Sequence, residues 1–309
     1  MARKKTTKNE TTSSDIATIP TGPLNASTVN SIVWRACDTF RGVVQPANYK
    51  DYILTMLFIK FLTDTRDEHL EEYRRQYAGD EARVQRAMSK ERFQLPKDCD
   101  FHFLRANAKS ARLGELIDEV LAGITKVNGA KLENVFSQIT FNSDKLGDTK
   151  ERNTRLQHLV DDFDRPELDL RPSRVQGRDV IGDAYEFLIA RFAADAGQSG
   201  GEFYTPKEVA QLLAQILAPQ AGNTIYDPCC GSGSLLLRTG RAVGDADFAL
   251  FGQEMNAHTW ALCRMNMFLR NADSATIERG DTIRSPRLIK DGKLMKFDVV
   301  IANPPFGVD

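Results

Sequence analysis

The sequence predicts two parts: an all-helical N-terminal domain and a following α/β domain built on a parallel sheet. Two patterns and one length argument carry this. Apolar residues recur at helical spacing from Leu24 to about Asp195. Beyond Thr205, short β-branched and aromatic runs alternate with helical segments, which is the pattern of parallel strands joined by right-handed crossovers. The chain has 309 residues, and domains of ordinary size make that about two.

Taken in order, residues 1–23 are rich in Thr, Ser, Lys and Asn and are expected to form a disordered tail, since they bury too little to offset ordering entropy. The helical domain is assigned to 24–195 and the α/β domain to 196–309. Val29, Ile32, Val33, Ala36 and Phe40 lie on one helix face after Asn25. A second helix carries Tyr52, Ile53, Met56, Leu57, Ile59, Phe61 and Leu62. It is apolar on most sides and so is expected at the centre of the domain. Asp64 to Arg86, dense in alternating charge, is expected as a separate solvated helix. Further helices are expected over Ala111 to Ala122, Arg152 to Phe163 and Val180 to Ala194, with polar, proline-marked linkers near Pro96 and Pro166. In the α/β part, Thr205 to Leu217 is a helix with Pro206 in its first turn, where a missing N–H costs nothing. Strands follow at Thr224 to Tyr226, Phe248 to Gly252, Ala275 to Glu278 and Phe297 to Ala302. Helices Ser234 to Ala242 and Thr259 to Leu269 lie between the first three.

Lysine plus arginine number 41 and aspartate plus glutamate 42, a formal net charge of −1 that argues against a non-specific, strongly basic nucleic-acid binder. The longest mostly apolar run, Tyr52 to Leu62, is far shorter than the ~20 residues that span a bilayer. Five cysteines without a C-x-x-C pair, and four scattered histidines, point to a reducing, cytoplasmic chain with no disulfide framework and no metal.

Chemistry in a parallel sheet sits beyond the C-terminal strand ends, and four motifs fall there. Asp227-Pro228-Cys229-Cys230-Gly231-Ser232-Gly233 is a glycine-rich loop after the first strand. It lacks the Gly-Lys-Ser/Thr of a phosphate loop, and Leu236 stands where a dinucleotide fingerprint needs its third glycine. Glu254 ends the second strand, where an acidic residue can hold ribose hydroxyls. Asp281 follows the third strand, where a carboxylate can accept from an adenine amine. Together these three indicate an adenosine-containing cofactor without a diphosphate. Asn303-Pro304-Pro305-Phe306 follows the fourth strand. The Asn303 side-chain oxygen and the Pro304 carbonyl offer two acceptors to an amine on a flat ring, on which Phe306 can stack. Two acceptors favour the pyramidal, positively charging amine of a methyl-transfer transition state.

The glycine loop together with Asn303 to Phe306 resembles the S-adenosylmethionine-dependent amino-methyltransferases. Gly201-Glu202-Phe203-Tyr204-Thr205-Pro206, the stretch beginning Asp179-Val180-Ile181-Gly182-Asp183, and Phe141 to Asp148 narrow the resemblance to the modification (M) subunit of type I restriction–modification systems. The resemblance covers about Leu24 to Asp309. It implies a Rossmann-like methyltransferase domain, S-adenosylmethionine as cofactor, and N6-adenine methylation of double-stranded DNA. It further implies that Glu202, Phe203, Tyr204, Thr205, Pro206 and Lys207 touch the methionine end of the cofactor, and that Asp227, Gly231, Ser232, Gly233 and Ser234 wrap that end. Glu254 would take the ribose and Asp281 the cofactor adenine. Asn303, Pro304, Pro305 and Phe306 would hold the target adenine, flipped out of the stack. The implied partners are a specificity (S) subunit, a second M subunit and a restriction (R) subunit that can join them.

Family members continue well past the position equivalent to Phe306, so the methyltransferase domain is expected to be incomplete at its C-terminus, with Asp298 to Ala302 as an edge strand. Two other readings stay open: a methyltransferase acting on a protein glutamine or an RNA base, and an inactive truncated binding subunit.

Overall fold

A computed structural model describes residues 24–42, 44, 46–175, 180–195, 204–244 and 246–305. The expected tail over 1–23 therefore lies outside the described residues, as do Glu202, Phe203 and Phe306.

The N-terminal part is helical throughout. Helix α1 (Ala26–Ala36) is started by Asn25, whose side chain accepts from the Ser27 N–H. Helix α2 (Pro46–Gln76) corrects an expectation: the apolar run and the charged run as far as Gln76 are one helix of 31 residues, and only the end of the charged run lies beyond it. No glycine or proline interrupts the chain from Ala47 to Ala78, so nothing stops the ladder until Ala78 and Gly79 turn to positive φ. Its midpoint is held by Asp64, which pairs with Lys60 one turn earlier and accepts from the Leu170 N–H at 2.8 Å. Short helices α3 (Glu81–Met88) and α4 (Phe101–Ala106) follow. Helix α5 (Leu113–Asn128) begins and ends later than expected. Helix α6 (Thr149–Phe163), capped by Asp148, the four-residue α7 (Pro172–Val175) and α8 (Val180–Asp195) complete the part. The α2 segment Ile53 to Ile59 is fully buried, Thr55 included, so the apolar stretch does form the domain centre.

The second part carries helix α9 (Lys207–Leu217), strand β1 (Thr224–Asp227), helix α10 (Ser234–Arg241), strand β2 (Ala249–Glu254), helix α11 (Ala257–Leu269) and strand β3 (Thr276–Arg279). A hairpin of β4 (Ile289–Lys290) and β5 (Lys293–Leu294) precedes β6 (Val299–Val300). Among the described residues β3-β2-β1-β6 form one parallel sheet. Three expectations change. Pro206 stands as the residue before α9, with extended ψ, rather than inside its first turn. The hairpin was not anticipated, because its strands are two exposed residues each with no apolar alternation. The fourth strand spans only two residues, flanked by backbone bonds from Asp298 to the Thr224 carbonyl and from Ile301 to the Tyr226 carbonyl.

Residues on one sheet face, Ile225, Leu250, Ile277, Val299 and Ile301, form a core with Ala210 of α9, Leu235 to Leu237 of α10, and Cys263 and Met267 of α11. The other side of α11 (Ala261, Leu262, Met265 and Phe268) belongs to the helical core. This explains why α11 is apolar nearly all round. Polar contacts reinforce that junction. The Tyr185 hydroxyl donates to the Leu262 carbonyl at 3.0 Å, and Arg92 reaches Asp273 and the Phe268 carbonyl. Glu186, 6% exposed, lies between Arg238 of α10 and Arg270 just after α11.

Candidate active site

The site is assembled where β1 and β6 end side by side; Tyr226 pairs with Val300 in register. The chain leaves β1 at Asp227 and turns through Gly231 (φ +54°) and Gly233 (φ +77°) into α10. Backbone of that hand strains L-residues. At Gly233 a Cβ would also fall 2.7 Å from the Cys263 sulfur and 2.7 Å from the Met267 methyl. The turn therefore presses its backbone onto α11, and α11 answers with Asn266, which is fully buried and donates from Nδ2 to the Ser232 carbonyl at 3.0 Å. Ser232 and Ser234, both buried, share a hydroxyl–hydroxyl bond of 3.1 Å.

Tyr204, Thr205, Asp227, Cys229, Gly231, Ser232, Ser234 and Asn303 line one cleft, with Cys230 and Leu235 behind them. The sites expected from the sequence are thus sorted by the fold. Tyr204, Thr205, Asp227, Gly231, Ser232, Ser234 and Asn303 come together, whereas Gly233 sits beneath as the start of α10. Lys207 opens α9 with its side chain exposed, and Pro206 precedes it. Pro304 and Pro305 are exposed beyond the β6 tip. Asp281 lies one loop away, after β3.

Each strand-end carboxylate first serves its own loop. Asp227 accepts from the Cys229 N–H at 3.0 Å, Glu254 from the Asn256 N–H at 2.8 Å, and Asp281 from the N–H groups of Ile283 and Arg284 at 2.9 Å. Glu254 has a second role, accepting from the Gly231 N–H at 3.0 Å and so tying the β2 end to the glycine loop. Their electrostatics differ with depth. Asp227 is 1% exposed, and burial pushes its carboxyl from 3.8 up to about 7, with Glu254 adding like-charge repulsion. Burial raises Glu254 as well. Asp281 is held below the ordinary range by its two backbone donors. Cys229 is also raised, to about 12, by burial and by the charge of Asp227, so its thiol stays protonated.

Asn303 donates from Nδ2 to the Thr205 hydroxyl oxygen at 3.2 Å, which joins the β6 end to the segment before α9. That bond turns the amide oxygen away from Thr205. Two supporting residues escaped the sequence reading. Gln253, fully buried, donates to the carbonyls of Gly280 and Ser285 and accepts from the Arg287 N–H, which pins the loop carrying Asp281. Asn266 is the other, and its signal was visible: a carboxamide within the apolar run Met265 to Leu269. Among the described residues no group of three or more His, Cys, Asp or Glu could hold a metal ion. No described helix is long and apolar enough to cross a membrane.

Comparison with known proteins places the chain among its relatives. Residues 29–163 match the family described as HsdM N-terminal domain, and residues 176–309 match N-6 DNA Methylase. The MpnII type I restriction enzyme methylase subunit of Mycoplasma pneumoniae is 31% identical over 91% of this chain and 58% of its own length. The EcoKI methylase subunit of Escherichia coli is 26% identical over 92% of this chain and 51% of its own. The crystal structure of the type I restriction-modification system methyltransferase subunit from Streptococcus thermophilus superposes with a TM-score of 0.76 at 28% identity. It covers 92% of this chain and 64% of that one. The chain spans about half the length of the curated relatives it matches.

Proposed function

This chain belongs to the family of type I restriction–modification methylase subunits, and from that premise we propose that it transfers a methyl group from S-adenosylmethionine to the N6 amine of adenine in DNA. The observation that carries the reading is the cleft itself: the β1 glycine loop, Asp227 and Asn303 converge within one pocket.

The residues fit such a cofactor by the chemistry of their donor set. Asp227 is buried, faces the cleft and holds only local partners, so a cationic ligand there would relieve the cost of its charge. Glu254 accepts one backbone N–H on each oxygen, and each oxygen keeps capacity for a ribose hydroxyl. Tyr204, Thr205 and Ser232 to Ser234 border the methionine end in this reading, and Asp281 the adenine. Glu202, Phe203, Pro206 and Lys207 are assigned to that same end of the cofactor. When bound, the cofactor supplies an activated methyl on a sulfonium.

The protein's share is orientation and electrostatics. The Asn303 amide oxygen and the Pro304 carbonyl accept from the target amine, hold it pyramidal and offset its developing positive charge. Pro305 stiffens the backbone carrying those acceptors, and Phe306 stacks on the base. The adenine reaches them flipped out of the duplex, because its amine is inaccessible within the stack. In this reading double-stranded DNA is the substrate. An S subunit selects the sequence, a second M subunit completes the methylase, an R subunit can join, and the assembly works in the cytoplasm.

The test is transfer of tritiated methyl to DNA, RNA and protein acceptors, followed by identification of the labelled base. Label in N6-methyladenine of DNA is expected. Label confined to RNA or to glutamine side chains would overturn the assignment.

A further inference from the structure

A second cavity, of about 480 Å³, opens between the helical part and the α/β part. That volume lies in the range of small-molecule sites, which favour such junctions. Among the described residues it shares none with the methyl-transfer cleft. Arg241 closes α10 and Leu269 closes α11, and both helices run back from the strand tips. The cavity therefore sits at the opposite end of the sheet from Asp227 and Asn303. Phe61, Leu62, Phe93, Leu170, Ile181 and Leu269 give it apolar walls.

One turn of α2 supplies polar groups with bonding capacity left over. The Thr65 hydroxyl oxygen is buried and has no hydrogen-bond partner, a costly arrangement unless a guest completes it. Arg66 gives Nε to Asp67 at 2.7 Å and Nη2 to Asp100 at 2.9 Å, which leaves Nη1 without a partner among the described residues. His69 bonds Glu91 through Nδ1 at 2.8 Å and keeps Nε2. Glu91 is the one carboxylate among the described lining residues, and the Tyr73 hydroxyl takes its other oxygen at 2.6 Å. Against it stand Arg66, Arg92, Arg241 and Arg270. Arg92 and Arg270 are anchored by Asp273 and Glu186, which lie outside the lining, so these guanidinium groups are held in place before any guest arrives.

We infer that this cavity is a binding site for a nucleoside monophosphate, with the Thr65 hydroxyl and the arginines on the phosphate and the apolar walls around the base. A bare phosphate would leave those walls wet, and an uncharged nucleoside would leave the guanidinium groups unused. The site is independent of the methyltransferase reading of the cleft. A guest in it touches α2 and the ends of α10 and α11 together, and so fastens the two parts of the chain.

The experiment titrates the 309-residue chain by calorimetry with adenosine and cytidine monophosphates, the two nucleosides and inorganic phosphate, each with and without S-adenosylmethionine. At least one monophosphate is expected to bind, about tenfold or more tighter than its nucleoside and than phosphate, and equally well in both conditions. Thr65→Val removes a hydroxyl that has no partner in the protein. It is expected to keep at least the wild-type urea midpoint and to bind about tenfold more weakly, while Thr65→Ser binds as wild type. Arg66→Met is expected to weaken binding by about tenfold or more. No binding of either monophosphate would overturn the inference, as would phosphate or nucleoside binding equally well, or wild-type affinity in both Thr65→Val and Arg66→Met. Displacement by S-adenosylmethionine would move the nucleotide to the methyl-transfer cleft and overturn it too.

Discussion

Asp227 offers the sharpest quantitative test of the cleft. Its carboxyl is 1% exposed and is pushed by burial from 3.8 to about 7, with the Cys229 N–H and thiol as its donors. The folded protein then holds a proton that the unfolded chain has already lost between those two values. Stability from this group is complete below pH 3.8 and is lost as pH rises toward 7. The total is on the order of 4 kcal/mol, more than half of which falls between pH 5 and 8. Asp227→Asn keeps the shape and an acceptor for the Cys229 N–H but does not titrate. Its stability relative to wild type should therefore climb by roughly 2–3 kcal/mol from pH 5 to pH 8 and level off above. With a urea m-value of about 3 kcal/mol/M, the midpoints should separate by about 0.8 M more at pH 8 than at pH 5. Tryptophan fluorescence is a suitable probe, because Trp260 spans the two cores. Cofactor binding should show the mirror image. A cationic ligand favours the ionised carboxylate, so wild-type affinity rises from pH 6 to 8, while the Asn variant binds weakly and without that slope. A stability difference that is flat from pH 5 to 8 would mean that Asp227 ionises as an ordinary surface carboxyl, and the electrostatic argument for the cleft would fail.

Three further outcomes follow from the same geometry. Asn303→Ala should abolish methyl transfer while calorimetry shows little change in cofactor affinity; a normal rate would remove the β6 tip from the chemistry. Gly233→Ala should cost ~1–3 kcal/mol in urea unfolding, since φ is +77° and the new Cβ meets the Cys263 sulfur and the Met267 methyl at 2.7 Å. Glu186→Gln should cost roughly 1–3 kcal/mol, because it strips the shared negative charge from half-buried Arg238 and from Arg270, which keeps Asp183 as a second partner. An unfolding midpoint within error of wild type would show that those arginines are compensated elsewhere.

The motifs at the strand tips were legible because they are local. A glycine turn, an acidic residue at a strand end and Asn303 with its two prolines each depend on a few consecutive residues, and the strand–helix alternation fixed which end of the sheet they occupy. The order of the sheet, with β1 between β2 and β6, came from the fold and not from those local signals. Helix limits were less legible where propensity gave no stop. The apolar and charged halves of α2 look like two elements by pattern, and they are one because the chain offers nothing to break it.

Sequence alone determined the two-part architecture and the chemical character of the loops, since periodicity and turn residues act over short spans. Tertiary structure alone decided the partners of those loops. Asn266 grips the Ser232 carbonyl, Gln253 holds the loop of Asp281, and Thr205 meets Asn303. Such contacts join residues far apart in the chain, and they carry no periodicity of their own. The buried depth that raises Asp227 belongs to the same class, because a carboxylate's ionisation depends on everything packed around it.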